Sequence, residues 1–368
     1  MVASELKKLN PDLKLIYIGH KGDSLADIPA NAPNIDKSYS VRAGKFRRYK
    51  SEGLKQLLDI PTIIKNVRDV LFIVVGLFQS YFLIKKLKPD VVFSRGGYVS
   101  VPVCLGAKLN GVNYLTHDSG PVPSLANRLI GRWAKYHLVS ADKDIYPYPA
   151  AKTITTGVPV SRSFVRVTKE VQGKYRQKLN ISEKAKMIFV IGGGLGAQSI
   201  NEALHEVLPN LLAEFKDLKV VHVVGGKNFD EARKAYEDVL TADQKDRVEV
   251  LDFTDQVYLY SGAADVVITR AGSTNLAEFE IQGAPCIIIP GDLLIDQLEN
   301  IKLLKDSNAA VFISDAELAE NPHVLSKEIS LLLRDAKKRQ KLGDGLAKFG
   351  YPNGGEKIAK LIIETAET

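Results

Sequence analysis

Three stretches of this chain carry groups suited to holding a phosphorylated ligand, each directly after an apolar run. The first is MIFVIGGGLGAQSINEAL, residues 187–204. Here a β-branched run meets Gly192, Gly193, Gly194, Leu195, Gly196 and Ala197 and then a helical pattern. Glycines let a backbone approach a ligand closely, and free N–H groups at a helix start attract anions. The stretch reads either as a phosphate cradle or as a tight structural turn. It is not the dinucleotide fingerprint, because the next run ends in His222, Val223, Val224, Gly225 and Gly226, with no acid to take a ribose. The second is DVVITRAGSTNLAEFEIQGAPCIIIPG, residues 265–291, with Glu278 in the first turns of a helix that starts near Thr274 and closes at Gly283. A helix dipole there is expected to keep the carboxylate ionised, able to accept both hydroxyls of a ribose; the alternative is an acid that stabilises its helix and binds nothing. The third is Asp296, Gln297, Leu298, Glu299 and Asn300, either ligand-holding or a polar helix start.

The elements that would position these groups alternate. Strand-like runs at 13–19, 90–94, 113–116, 137–140 and 153–156 are followed by a second series at 187–191, 220–224, 248–251, 266–269, 286–289 and 310–313, with helical patterns between them. Continuous β-branched runs suit parallel strands buried on both faces. The fold class is therefore α/β, doubly wound, and the three motifs fall at the carboxyl ends of strands, where open α/β sheets bind ligands. The polar, basic segment 161–186 marks a seam. It predicts a first domain over 1–164, a second over 165–345, and a C-terminal helix, 346–368, that packs back on the first.

With 368 residues and 45% hydrophobic content, the chain has room for two cores. Six histidines form no cluster with Cys or Asp, so the sequence argues for no metal, and Cys104 and Cys286 lie in apolar runs as buried, reduced side chains. The net charge of +7 is compatible with nucleic acid, anionic membrane or phosphate-rich ligands. Residues 42–55 concentrate Arg42, Lys45, Arg47, Arg48, Lys50 and Lys55 around Phe46 and Tyr49, without an RNA-binding or zinc-finger signature, so nucleic acid is not an expected partner. No signal peptide opens the chain; an amphipathic helix ending near Pro11 leads to an expectation of a cytoplasmic protein. Val70 to Ile84 is the most apolar stretch. It falls short of the roughly 20 residues a span needs, and it reads as a buried or membrane-lying helix.

In order and spacing, GGGLGAQSIN, TRAGSTNLAEFEIQGAPCIIIPG and DQLEN resemble the donor-binding half of the MurG family. FSRGGYVSVPVCLGAKLNGVNYLTHDSGPVPSLANRLI, residues 93–130, resembles that family's second glycine loop and the segment after it. The resemblance covers nearly the whole chain. It implies two facing Rossmann-like domains of the GT-B glycosyltransferase arrangement and an inverting transfer of N-acetylglucosamine from UDP to a polyprenyl-pyrophosphate-linked muramoyl peptide. That chemistry takes place at the cytoplasmic face of the cell membrane and needs no cofactor. Carried over residue by residue, Glu278 would hold the ribose. Ser273, Thr274, Asn275, Leu276 and Ala277 would line the diphosphate and ribose, Phe253 and Thr254 would flank the uracil, Gln297 would reach the sugar hydroxyls, and the turn with Gly194, Leu195 and Gly196 would meet the diphosphate.

Departures from the family pattern are also legible. Gly194 stands where the family usually has Ser. The family's HEQN reads His117, Asp118, Ser119, Gly120, so the amide near the sugar is absent at Gly120. Its GNPVR reads Gly157, Val158, Pro159, Val160, Ser161, with Arg162 one residue late for the phosphate. The resemblance places a first strand and a GGTGGH-like loop ahead of VASELKKLNP, and Met1 stands at the start of that segment. The chain is thus expected to lack an acceptor-phosphate loop and a His proposed as base, through a misplaced start or a real loss. His117 is the best remaining base; its other reading is a structural strand-end residue. Alternatives to the transferase are another GT-B nucleotide-sugar enzyme, such as a glycolipid glycosyltransferase or an epimerase, and a non-catalytic or split UDP-sugar-binding subunit.

Overall fold

Apolar β-branched runs become strands wherever both faces can be covered, and the strands determine where every motif ends up. The computed structural model describes residues 1–22, 31–44, 60–194, 196–291, 295–305 and 307–368, without the side chains of 60–67, 295 and 303. Leu195 and the cluster Lys45, Phe46, Arg47, Arg48, Tyr49, Lys50 and Lys55 lie outside the described residues. Described strands are β1 (Ile16–His20), β2 (Lys37–Val41), β3 (Val91–Ser94), β4 (Asn113–Asp118), β5 (Tyr136–Val139), β6 (Thr153–Thr155), β7 (Lys186–Ile191), β8 (Leu218–Val223), β9 (Val248–Leu251), β10 (Val266–Thr269), β11 (Cys286–Ile288) and β12 (Val311–Phe312). Helices are α1 (Val2–Leu9), α2 (Ile60–Leu87), α3 (Ser100–Leu109), α4 (Leu125–Ile130), α5 (Lys169–Lys178), α6 (Gln198–Glu214), α7 (Phe229–Val239), α8 (Ala242–Lys245), α9 (Val257–Ala263), α10 (Ser273–Gln282), α11 (Ile295–Lys305), α12 (Asp315–Glu320), α13 (His323–Arg334), α14 (Ala336–Ala347) and α15 (Gly354–Ala366).

The chain forms two compact units, Met1–Pro159 with Asn353–Thr368, and Val160–Pro352. The first holds two parallel sheets, β1-β2 and β3-β4-β5-β6. Side chains alternate across β4: Tyr114 enters a cluster with Cys104 and Ile130, and Leu115 enters one with Leu6, Ile358 and Ile362. Helix α15 thereby closes the same core as α1. Strand β2, absent from the sequence reading, is a polar edge strand in which only Val41 is buried, so it carries no apolar run to announce it.

Helix α2 is much longer than its apolar stretch, 28 residues, and Arg68–Leu87 is long and apolar enough to cross a membrane by length and composition. One face is nonetheless occupied within the unit. Asp69, Ser80 and Ile84 are buried, a side chain at Gly76 would collide with the Arg42 carbonyl, and Gly106 of α3 sits against Ser80. The other face is open: Leu71, Phe78 and Phe82 are each at least 60% exposed. The helix is thus two-sided, packed within the unit on one face and apolar and exposed on the other.

The second unit is one six-stranded parallel sheet, in the order β12-β11-β10-β7-β8-β9. Alternate residues of β7 face opposite cores, Ile188 and Val190 towards α6 and α13, Met187 and Phe189 towards α10. At the amino ends of β7 and β10, Asp265 accepts the Met187 N–H at 2.9 Å and pairs with the buried Arg176 at 2.8 Å.

Candidate functional site

Strand order in the second unit reverses at β7, which lies between β8 and β10. A doubly wound sheet opens a crevice at such a reversal, outside the carboxyl ends of its strands. The loops that leave β7 and β10 there are the glycine turn and the turn Arg270–Gly272. The glycines of the first turn differ in duty. Gly196 has φ +78° and a side chain there would collide with the Val224 carbonyl, so packing requires a glycine. At Gly193 and Gly194 a Cβ would meet nothing within 4 Å, which leaves that part of the turn open to a ligand. No side chain caps α6 at Ala197 or α10 at Gly272, so both helices present first-turn N–H groups at this edge.

Around α10, Ser273 accepts from Asn300 Nδ2 at 3.1 Å, and Asn300 also holds the Ala271 carbonyl at 2.7 Å. Thr274 is exposed and Asn275 half-buried. Leu276 and Ala277 instead turn their side chains inwards, and the Leu276 N–H is taken by the Gly272 carbonyl at 2.9 Å. These two residues therefore shape the helix start and have no side chain to offer a ligand. Glu278 corrects a second expectation. It is the sixth residue of α10, beyond the reach of the dipole, and burial pushes its carboxyl up to about 7. Phe253 is 66% exposed just after β9, and the neighbouring Thr254 hydroxyl accepts the Gln256 N–H at 3.1 Å. Gln297 spends its amide oxygen on the Gly291 N–H at 3.0 Å, which leaves its NH2 group to point elsewhere.

Two family models match the chain, the glycosyltransferase family 28 N-terminal domain over residues 2–139 and the family 28 C-terminal domain over 187–356. A Bacillus thuringiensis protein named UDP-N-acetylglucosamine--N-acetylmuramyl-(pentapeptide) pyrophosphoryl-undecaprenol N-acetylglucosamine transferase 3 is 31% identical over 337 residues, covering 89% of this chain and 85% of that protein. The chain belongs to the MurG family of glycosyltransferases. A protein of the same transferase name from Natranaerobius thermophilus is 29% identical over 98% of this chain and 94% of its own length. Acinetobacter baumannii MurG shares the fold, with a TM-score of 0.71 at 22% identity over 99% of this chain and 94% of that one. Its fold class is thus the GT-B class of MurG.

The MurG-like segment after β4 lies in the first unit. His117 is fully buried; its Nε2 donates to the Gly157 carbonyl at 3.0 Å and its Nδ1 faces the Ser119 hydroxyl at 3.4 Å. Burial lowers its pKa to about 4. A ring with no open nitrogen and a disfavoured imidazolium is placed as a strand-end anchor, which departs from the expected base. Gly120 gives its carbonyl to the Tyr146 hydroxyl at 3.0 Å. The hub that shapes this MurG-family segment is Asp118, which accepts from Ser124 N, Asn127 Nδ2 and Tyr148 Oη at 3.0, 2.9 and 2.7 Å. Sequence reading missed that role, because a buried acid next to a histidine has no local signature of partners six, nine and thirty residues away. Arg162 is exposed, at the start of the second unit.

Proposed function

We infer that this protein is an inverting glycosyltransferase. It moves N-acetylglucosamine from UDP-N-acetylglucosamine to an undecaprenyl-pyrophosphoryl-N-acetylmuramoyl pentapeptide, in peptidoglycan synthesis. One observation carries the reading: membership of the MurG family along almost the whole chain; the motifs resembling that family's glycine turn and TRAGST segment follow β7 and β10, the neighbouring strands at the strand-order reversal. Glu278 accepts the ribose hydroxyls, Phe253 and the Thr254 backbone flank the uracil, and the Gln297 NH2 reaches the sugar. The open turn at Gly193 and Gly194, with the uncapped starts of α6 and α10, receives the diphosphate. The muramoyl 4-hydroxyl attacks the anomeric carbon and gives up its proton to a general base or to solvent as the C1–O bond to UDP breaks, and the negative charge that gathers on the leaving diphosphate meets the backbone N–H groups of the helix starts. Leu276 and Ala277 contribute only the helix backbone, and Arg162 lies near the start of this unit as a candidate phosphate partner.

The acceptor is a lipid, so the protein works as a peripheral protein at the cytoplasmic membrane face. The exposed side of α2 supplies the apolar contact, with Lys85 and Lys86 for anionic headgroups, while Arg68 is paired with the buried Asp69 at 3.1 Å. A coupled assay for UDP release tests the function. Release should require the polyprenyl-linked muramoyl acceptor and yield a β-linked disaccharide product. Acceptor-independent conversion of UDP-N-acetylglucosamine into a 2-epimer would replace this reading with an epimerase.

A further inference from the structure

One closed ring of polar contacts joins three separate strand connections of the Val160–Pro352 unit. Ser199, the second residue of α6, donates its hydroxyl to Asp315 Oδ1 at 2.6 Å. Arg270, directly after β10, donates Nη1 to the same carboxylate oxygen at 2.8 Å and Nη2 to Ser199 Oγ at 2.7 Å. Its Nη1 also reaches the Ile289 carbonyl, just past β11, at 3.2 Å. A guanidinium only donates and a carboxylate only accepts, so the Ser199 proton must point at Asp315 and the three groups have one consistent arrangement. The Arg270 and Asp315 side chains are 13% and 23% exposed, so the pair sits where charge-assisted hydrogen bonds keep much of their strength.

The ring stands beside the glycine turn, whose Gly192 and Gly196 pack closely on neighbouring backbone and whose Gly193 and Gly194 face open space. Gly193 and Gly194 contribute no side chain, and among the described residues the Gly196 N–H donates to the Gly193 carbonyl across the turn at 3.0 Å. Its position relative to the turn after β10 depends on its ends. One end is Gly192, leaving β7; the helix-side end is held by Gly196 against the Val224 carbonyl and, three residues on, by Ser199 in the ring. Asp315 comes from neither turn, being the first residue of α12 after β12.

We propose that Asp315 is a positioning residue for the nucleoside diphosphate. Acting through Arg270 and Ser199, it sets the spacing at which the starts of α6 and α10 direct their N–H groups to one diphosphate. This rests on the donor reading above. Asp315 acts through the helix starts that would meet phosphate, so its effect should be confined to ligands that carry phosphates, whereas a merely structural acid would weaken every ligand of the unit together.

The test measures UDP by calorimetry and uridine by ligand-observed NMR, on the full chain and its Asp315→Asn, Ser199→Ala and doubly substituted forms. Each single substitution should lower UDP affinity about tenfold, as expected for loss of a charge-assisted hydrogen bond. The double variant should be no weaker than Asp315→Asn alone, because opening the ring once is enough. Uridine affinity should stay within about twofold, since hydrogen bonds to phosphate are what is lost. Unchanged UDP affinity in both single variants, or equal losses for UDP and uridine, overturns the proposal. Should Asp315→Asn fail to fold, Ser199→Ala, which removes a single hydroxyl, decides on the same criteria. A wild-type chain that binds neither ligand refutes the donor reading itself, which is a different result from a variant that binds like wild type.

Discussion

At Glu278, folding and function favour opposite protonation states. Burial raises its carboxyl from 4.5 to about 7, and a ribose needs the carboxylate. An acid whose folded pKa is raised holds its proton more tightly in the native state. Its stabilising contribution is therefore complete below about 4.5 and is lost as pH rises through about 7. Ligand binding runs the other way. UDP affinity should rise between pH 6 and pH 8 in the wild type, by calorimetry, and Glu278→Gln should flatten that rise. At pH 8 Glu278→Ala should cost about 1.5–3 kcal/mol of UDP binding, the scale of hydrogen bonds to a charged group. A 2′-deoxyribose donor should lose less on the variant than on the wild type. A second residue-scale expectation concerns Gly194, where a side chain would meet open space. Gly194→Ser should leave the Tm unchanged and improve UDP affinity by about 1 kcal/mol through one added hydroxyl contact. Gly196→Ala, with φ +78° and the Val224 carbonyl in the way, should lower both stability and UDP binding.

Among the elements, α2 carries the clearest functional burden. Its inner face is tied down by close packing at Gly76 and Gly106, and its outer face leaves Phe78 and Phe82 more than 60% exposed. Burying such rings in a headgroup boundary is favourable, and each nearby lysine adds about 1 kcal/mol on anionic lipid. In liposome flotation the protein should rise with vesicles rich in anionic lipid. Salt at about 1 M, where the Debye length is roughly 3 Å, should release much of it. Phe78→Ser with Phe82→Ser, or Lys85→Glu with Lys86→Glu, should weaken flotation and leave UDP affinity alone, since the donor motifs belong to the other unit. Flotation of all variants at the wild-type level would move the docking face elsewhere.

For the whole molecule, three buried neutral histidines limit the response to acid. Burial lowers His117 and His137 to about 4 and His222 to about 3. Each is a base with a depressed folded pKa, so the unfolded chain takes up the proton first. The stability these residues permit is complete above about 6.5 and is lost as pH falls towards 4. Denaturant midpoints should therefore drop between pH 6.5 and pH 4, and His137→Phe, which keeps a ring stacked on Tyr148, should make that drop shallower. The division into two units carries a further expectation. Residues 160–352 expressed alone should bind UDP, because the proposed uracil, ribose and diphosphate contacts all lie between Gly192 and Gln297.

The sequence by itself determined the α/β class, most strands of both units and the position of three motifs just after strands of the second unit. Runs such as 187–191 and 266–268 are short, continuous and rich in β-branched residues, the pattern that suits a parallel strand buried on both faces. The order of the glycine turn, TRAGSTNLAEFE and DQLEN along the chain was enough to show the family resemblance. Strand β2 stayed hidden because only Tyr39 and Val41 of its five residues are apolar, too short a signal against Lys37, Ser38 and Ser40. Tertiary structure alone decided which side chains point where. Leu276 and Ala277 turned inwards, His117 lost its open nitrogen to Gly157, and Glu278 gained a proton affinity set by its surroundings. The same holds for partnerships across long stretches of chain, such as Asp315 with Ser199 and Arg270 or Asp118 with Tyr148. Periodicity along a chain reports burial of a face. Protonation, hydrogen-bond partners and ligand access depend on atoms brought together from distant positions, and those contacts exist only once the sheets have formed.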